Sequence, residues 1–196
     1  MFKLGLTGSI GMGKSATAAM FRAAGVPVHD ADEVVHALYR GRAAPLIAAA
    51  FPGTVIQGTV DRALLSKVLF EDESRLRALE RIVHPLVREE RDAFLAENAH
   101  APVAILDIPL LFETGERDTD AVALVSAPES VQRERVLARP GMTEEKFRAI
   151  LGKQMPDSEK RRRAHFLIET GFGFAHAERR VRAVLRAIAG RSGRTE

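Results

Sequence analysis

At 196 residues the chain is expected to form a single domain, 1–196, with enough apolar sequence for a substantial core. The absence of cysteine excludes disulfides, thiolate metal centres and thiol catalysis, and fits a reducing compartment. A net charge of +3 suits nucleic acid and polyphosphate alike, but one tyrosine and no tryptophan leave little for base stacking, so a polyphosphate ligand rather than nucleic acid is expected.

The first apolar run, Phe2 to Leu6, is too short for a signal peptide, and no later stretch is long enough to span a bilayer. A cytoplasmic protein without membrane contact is expected. The run leads as a strand into Gly8-Ser-Ile-Gly-Met-Gly13-Lys14-Ser15, which has the spacing of a phosphate-binding loop. Gly8, Gly11 and Gly13 permit a turn tight enough for successive N–H groups to converge on phosphate oxygens. Lys14 supplies a point charge for the outer phosphates and Ser15 a hydroxyl for Mg²⁺. Ala16 to Ala24 are strong helix formers, so the phosphates would meet a helix N-terminus. Gly11, Met12, Gly13, Lys14, Ser15 and Ala16 are the candidate nucleotide contacts.

Gly25 stops this helix, and Val26-Pro-Val28 begins a second extended run ending in His29-Asp30-Ala31-Asp32, before a helix over Glu33–Tyr39. Acidic residues at the carboxyl end of a parallel strand lie where doubly wound sheets bind ligands. Asp32 is a candidate to take a proton from a substrate hydroxyl or to order Mg²⁺ through water; alternatively Asp30 or Asp32 caps the helix. Residues 41–100 read as a helical stretch, interrupted by Phe51-Pro-Gly53 and the apolar Thr54-Val-Ile56. Asp61 is expected to cap Arg62–Phe70, and Asp72 or Ser74 the next helix, which should kink or end at His84-Pro85 before resuming to about Asn98. Such an insertion suits an acceptor pocket, where His84, with Arg88 one turn on, meets a phosphate; the alternative for His84 is a packed or capping role.

The nearly continuous apolar run Pro102–Leu106 predicts a strand buried on both faces. Asp107 at its end is placed to complete the Mg²⁺ shell opposite Ser15. Phe112-Glu-Thr-Gly115 reads as a turn, with Glu113 a second polar contact. A fourth strand, Ala121–Ser126, leads through Pro128 into a helix that Arg139-Pro140-Gly141 breaks; Thr143 caps another running to about Gln154. Arg139 and the basic run Lys160–Arg163 then lie on a helical hairpin, able to neutralise transition-state charge over the phosphates; the alternative is a solvated charged face. His165–Ile168 is the last strand and Glu169-Thr-Gly171 its turn. Val181, Val184, Leu185 and Ile188 form the apolar stripe of a packing helix, and the tail after Gly190 is expected to fray.

Together these elements specify an α/β fold: a three-layer α/β/α parallel sheet of P-loop NTPase type, with a helical acceptor insertion at about 41–100 and a lid at about 139–163. The only asparagine, Asn98, is not followed by lysine, so the base motif of guanine-specific GTPases is missing. The compact length also disfavours motor ATPases, leaving a monomeric or weakly associated small-molecule kinase. The chain resembles the dephospho-CoA kinase family through Leu6–Ser15, Gly25-Val-Pro-Val-His-Asp-Ala-Asp32, Val83-His-Pro-Leu86 and Leu106-Asp-Ile-Pro-Leu-Leu-Phe-Glu113. The likeness continues through Gln132, Arg133, Arg139, Gln154 and Glu169-Thr-Gly171.

That resemblance implies ATP-dependent phosphorylation of the 3′-hydroxyl of dephospho-CoA, with ATP and Mg²⁺. It implies Asp32 as general base, Lys14 and Arg139 as stabilisers of the transferring group, and Ser15 with Asp107 as the Mg²⁺ partners. Thr7, Asp32, His84, Arg88 and Leu111 would lie on the acceptor side. The chain departs from the family pattern at Ser9, Met12 and Ala16, at His165 where an acidic residue is common, and at Glu169-Thr170 where Asn-Ser is usual. Another P-loop kinase, for a nucleoside monophosphate or a sugar acid, is the alternative reading; a nucleic-acid or nucleotide-binding regulator is the third.

Overall fold

The computed structural model describes residues 1–70, 72–115 and 118–192. In chain order the elements begin with strand β1 (Phe2–Thr7), helix α1 (Lys14–Ala23), β2 (Val28–Asp30), α2 (Ala31–Tyr39) and α3 (Ala43–Ala50). A short pair β3 (Val55–Ile56) and β4 (Thr59–Val60) precedes α4 (Arg62–Phe70), α5 (Glu73–Glu97) and β5 (Val103–Asp107). The chain continues as α6 (Leu111–Thr114), β6 (Ala121–Ser126), α7 (Glu129–Leu137), α8 (Glu144–Leu151), α9 (Asp157–Arg163), β7 (Phe166–Glu169) and α10 (Phe174–Ser192). They divide into two compact units, one of residues 1–28 and 98–196, the other of 29–97.

The first unit is built on a sheet of order β2-β5-β1-β6-β7, in which β1 pairs in parallel with both β5 and β6, and β6 with β7. Every residue of β5 and β6 is buried, so side chains alternating to both sides find cover on both faces. Helices α1 and α10 supply part of that cover: Ala18, Phe21, Val181, Val184 and Ile188 pack with Leu4, Leu6, Ile105, Ala123 and Ile168. The chain leaves β1 for β2 on one side of the sheet, and leaves β5, the strand next to β1, for β6 on the other. The carboxyl end of β1 is therefore a switch point, where crevices open in doubly wound sheets.

The second unit has its own core, in which Leu38, Ile47, Phe51, Leu65, Leu79 and Val83 are buried together. Local expectations change in both units. Thr54–Val60 is a hairpin, its two-residue turn made by Gln57 (φ 49°) and Gly58 (φ 76°), both on the left-handed side as tight hairpins require. Helix α5 is not broken at His84-Pro85 but continues through Pro85. Pro85 is exposed, so one hydrogen bond is lost on the solvent side, while Leu79, Val83 and Leu86 keep the opposite face buried through the same turns. Residues Leu111–Thr114 are a short helix closed by Gly115 at φ 69° rather than a plain turn. Helix α8 ends at Leu151, short of Gln154, and α10 continues past Gly190 to Ser192; residues 193–196 of the expected frayed tail lie outside the described ones.

Candidate active site

Residues 8–13 connect β1 to α1. Gly11 and Gly13 hold φ of +78° and +93°, conformations that side-chain-bearing residues avoid. Space also demands glycine: a Cβ at Gly11 would lie 2.5 Å from Val136 Cγ2 and 2.9 Å from the Gln132 carbonyl oxygen. Gly13 is the N-cap of α1, with no side-chain cap bond and no acidic residue in the first turn. The first N–H groups of α1 are thus left to an anion, and the helix dipole favours one.

Lys14 Nζ lies 2.6 Å from Asp107 Oδ1, and the Asp107 side chain is wholly buried at the end of β5. Ser15 is exposed beside them on the first turn of α1. Thr7 is buried and donates from Oγ1 to the Pro109 carbonyl at 3.0 Å. Met12 is buried too, and its sulfur accepts the Ala127 N–H at 3.1 Å. Leu111, counted from the resemblance on the acceptor side, is a core side chain 2% exposed; its Cδ1 fills the place that a Cβ on Gly5 would need. Arg139 is exposed just beyond α7, with no hydrogen bond or ion pair from its guanidinium among the described residues.

Two further groups of residues shape this region. Gln132, 4% exposed, and Gln154 both bond to the backbone of Ile10. Thr170 donates from Oγ1 to the Met12 carbonyl at 2.7 Å and accepts Arg135 Nη1 at 2.9 Å, tying the turn after β7 to the loop. Gly171 is required there because a Cβ would strike Pro128. A cavity of about 280 Å³ opens beside the loop, lined by Ala16, Met20, Arg135, Thr170 and Phe174 among others. In the sequence Gln132, Gln154 and Thr170 stand out only as family likenesses or departures and Arg135 only as one arginine of its helix; none of them carries a signal for a bond to the loop or its neighbouring turn. The spacing shows only that Gln132, Val136 and Arg139 share a single face, with Arg135 alongside.

The basic run Lys160–Arg163 is not a uniformly solvated face. Lys160 is 0% exposed and its Nζ lies 2.9 Å from Glu113 Oε1, which also accepts the Met155 N–H at 2.8 Å. Burial alone would raise the Glu113 pKa; the Lys160 ammonium and the Met155 N–H outweigh it and hold the carboxyl below its ordinary value. Arg161 pairs with Asp157 at 2.7 Å, and Arg163 with Glu159.

In the second unit, Asp30 rather than Asp32 caps α2, its Oδ1 accepting the N–H groups of Asp32 and Glu33 at 2.9 and 3.1 Å. The Asp32 side chain instead lines a shallow surface depression with Glu33, His36 and Arg40. His29 is buried, with its ring centroid 5.3 Å from that of Phe94. Burial first, and then Arg91, lower its pKa, so it is a neutral core group near pH 7. His84 and Arg88 are both exposed, one turn apart on α5, so the packed role for His84 is not realised.

The dephospho-CoA kinase (CoaE) family model matches residues 2–174. The chain belongs to the dephospho-CoA kinase family. Its relatives include the dephospho-CoA kinases of Mesorhizobium japonicum, 60% identical over 98% of this chain and 100% of that one, and of Rhodopseudomonas palustris, 55% identical over 96% of each. Among solved structures, the protein TT1252 from Thermus thermophilus is 38% identical and superposes with a TM-score of 0.86 over 95% of this chain and 96% of its own. A dephospho-CoA kinase from Campylobacter jejuni, 21% identical, shares the fold with a TM-score of 0.65 over 95% and 96% of the two chains. In this dephospho-CoA kinase family member no described helix is long and apolar enough to cross a membrane.

Proposed function

We infer that the protein phosphorylates dephospho-CoA at the expense of ATP, giving CoA and ADP, the last step of coenzyme A synthesis. The observation that carries the nucleotide half of this reading is the meeting of Lys14 with buried Asp107 at the mouth of a loop whose glycines leave no room for a Cβ. The acceptor half rests on membership of the family.

The donor set fits Mg²⁺-ATP. Among the described residues no three His, Asp or Glu side chains gather into a metal site of their own. Mg²⁺ commonly takes one or two protein oxygens and completes its shell with water and substrate phosphates, so Ser15 and Asp107 are a sufficient pair. When bound, the ion would draw negative charge off the phosphate oxygens. Loop N–H groups from Gly11 to Ala16 bind the phosphates, and Lys14 follows the charge to the outer ones. The base lies in the cavity lined by Ala16, Met20 and Phe174, where apolar surface and an exposed ring suit a nucleobase.

Asp32 accepts the proton of the 3′-hydroxyl as its oxygen bonds to the γ-phosphorus and the bond to the β-phosphate oxygen breaks. That helix-capping falls to Asp30 supports this role for Asp32. Arg139 steadies the charge on the transferring group; its guanidinium has no other engagement among the described residues. Residues 41–100 form the acceptor-binding insertion, with His84 and Arg88 toward substrate phosphate and Thr7 near the acceptor, and 139–163 form the lid. A cytoplasmic, monomeric or weakly associating enzyme completes the reading. Burial of Lys160 and the pairing of Arg161 and Arg163 count against use of the basic run on nucleic acid. The test is purified protein with Mg²⁺-ATP and dephospho-CoA, following ADP release and product mass. A gain of one phosphate, without comparable turnover of AMP, CMP or gluconate, is the expected result; ADP release only with another acceptor would refute it.

A further inference from the structure

Ile10 sits in the middle of the phosphate loop, and side chains from a helix and from a separate turn hold both of its backbone polar groups. Gln132 of α7 donates from Nε2 to the Ile10 carbonyl oxygen at 2.7 Å. The Ile10 N–H donates to Gln154 Oε1 at 3.2 Å, from the turn that follows α8. The partners fix both amide orientations, because a carbonyl needs a donor and an N–H needs an acceptor. The N–H belongs to the Ser9–Ile10 peptide and the carbonyl to the Ile10–Gly11 peptide. The peptide planes on either side of Ile10 are therefore both pinned.

A loop with glycines at 8, 11 and 13 has many conformations open to it, and fixing its backbone carries an entropic cost. A loop ordered before the ligand arrives avoids that loss at the moment of binding. We propose that Gln132 and Gln154 are positioning residues that hold residues 8–13 in the phosphate-binding shape, so that affinity for ATP depends on the polarity of these two hydrogen bonds. Gln154 lies between α8 and α9, so the same bond ties the segment that follows α7 to the loop. The proposal rests on the reading of this loop as the ATP site.

Because the two glutamines play opposite roles, one substitution separates them. Gln154→Glu keeps an acceptor for the Ile10 N–H. Gln132→Glu replaces a donor by a carboxylate facing a carbonyl oxygen. Both variants add the same charge against the same residue, so general repulsion of phosphate is common to them and only the bond polarity differs. Mg²⁺-ATP binding is measured by titration calorimetry for both variants, for Gln132→Met and for the wild type, at about pH 8 where carboxylates are ionised. KM for ATP and kcat are measured alongside.

The expected order is wild type tightest, Gln154→Glu next, and Gln132→Glu weaker than Gln154→Glu by about tenfold or more, with Gln132→Met between. Loss should appear in KM for ATP, with kcat at saturating ATP within about threefold, because a preformed loop grips ground state and transition state alike. A purely structural role would lower thermal stability without separating the two glutamate variants in ATP affinity. Equal affinities for Gln132→Glu and Gln154→Glu overturn this proposal and leave the functional reading standing. A wild type that binds ATP but does not phosphorylate dephospho-CoA overturns the functional reading, while the order of affinities still decides this one. A wild type that binds no ATP overturns both.

Discussion

Replacing Glu113 by Gln takes away the carboxylate that faces a fully buried ammonium. Lys160 is 0% exposed, whereas the Glu113 side chain keeps 16% of its surface in contact with solvent, and the pair closes at 2.9 Å. The two ways of breaking the pair are therefore unequal. Glu113→Gln strands a positive charge with no route to water, and breaking a buried pair from one side costs about 3–5 kcal/mol. Lys160→Met leaves a carboxylate that still accepts the Met155 N–H, on a side chain that is not fully buried, a loss of about 1–3 kcal/mol. In a chain of this length each kcal/mol moves Tm by about 2–4 °C. Glu113→Gln should thus lower Tm by about 6–20 °C and Lys160→Met by less, and the double substitution should recover part of the larger loss. The Glu113 pKa is lower in the folded protein than its ordinary 4.5, so the unfolded chain binds the proton more readily. The pair's contribution is complete above that value and disappears as pH falls through the folded pKa. Circular dichroism melts of the four proteins, near neutral pH and into acid, measure all of this. A Lys160→Met protein less stable than Glu113→Gln, or a double variant no better than the worse single, would refute the reasoning.

Asp32→Ala should lower kcat by about a hundredfold or more while leaving the calorimetric Kd for Mg²⁺-ATP nearly unchanged; retention of most of kcat would remove Asp32 as the base. Gly11→Ala places a Cβ 2.5 Å from Val136 Cγ2 on a backbone at φ +78°, so ATP affinity should fall by about tenfold or more, and an unchanged Kd would count against the loop geometry. His165 Nδ1 accepts the Val122 N–H at 3.1 Å, which gives physical content to a histidine standing where the family prefers an acid: both offer an acceptor. His165→Asp should then unfold in urea close to the wild type, while His165→Leu loses about 1 kcal/mol; the reverse order would show the acceptor to be unimportant.

What the sequence made legible and what it hid divide by the kind of constraint. Phosphate binding requires glycine at fixed intervals before a lysine, so residues 8–15 announce themselves, and β5 and β6 do so because strands covered on both faces must be apolar throughout. Local capping was legible as a choice: either aspartate of His29-Asp-Ala-Asp32 can cap a helix, and only the observed start of α2 at Ala31 assigns the cap to Asp30. Pro85 misled because the rule against proline in helices counts the lost hydrogen bond, while α5 is held by apolar burial on its other face.

Lys160 was hidden for a different reason. Its neighbours Arg161, Arg162 and Arg163 make the segment read as one basic surface, and nothing local says that one of four successive cations turns inward to a carboxylate on α6. Gln132, Gln154 and Thr170 share this property: each is an ordinary polar residue whose partner is a backbone atom of the loop, and backbone atoms leave no trace in residue identity. The residues that would touch ATP are constrained by the ligand and so carry a spacing. Those that hold the loop are constrained only by the fold, and any side chain of the right reach and polarity would serve. This is why Thr170 can stand where the family usually has Ser, since the hydroxyl that reaches the Met12 carbonyl is common to both.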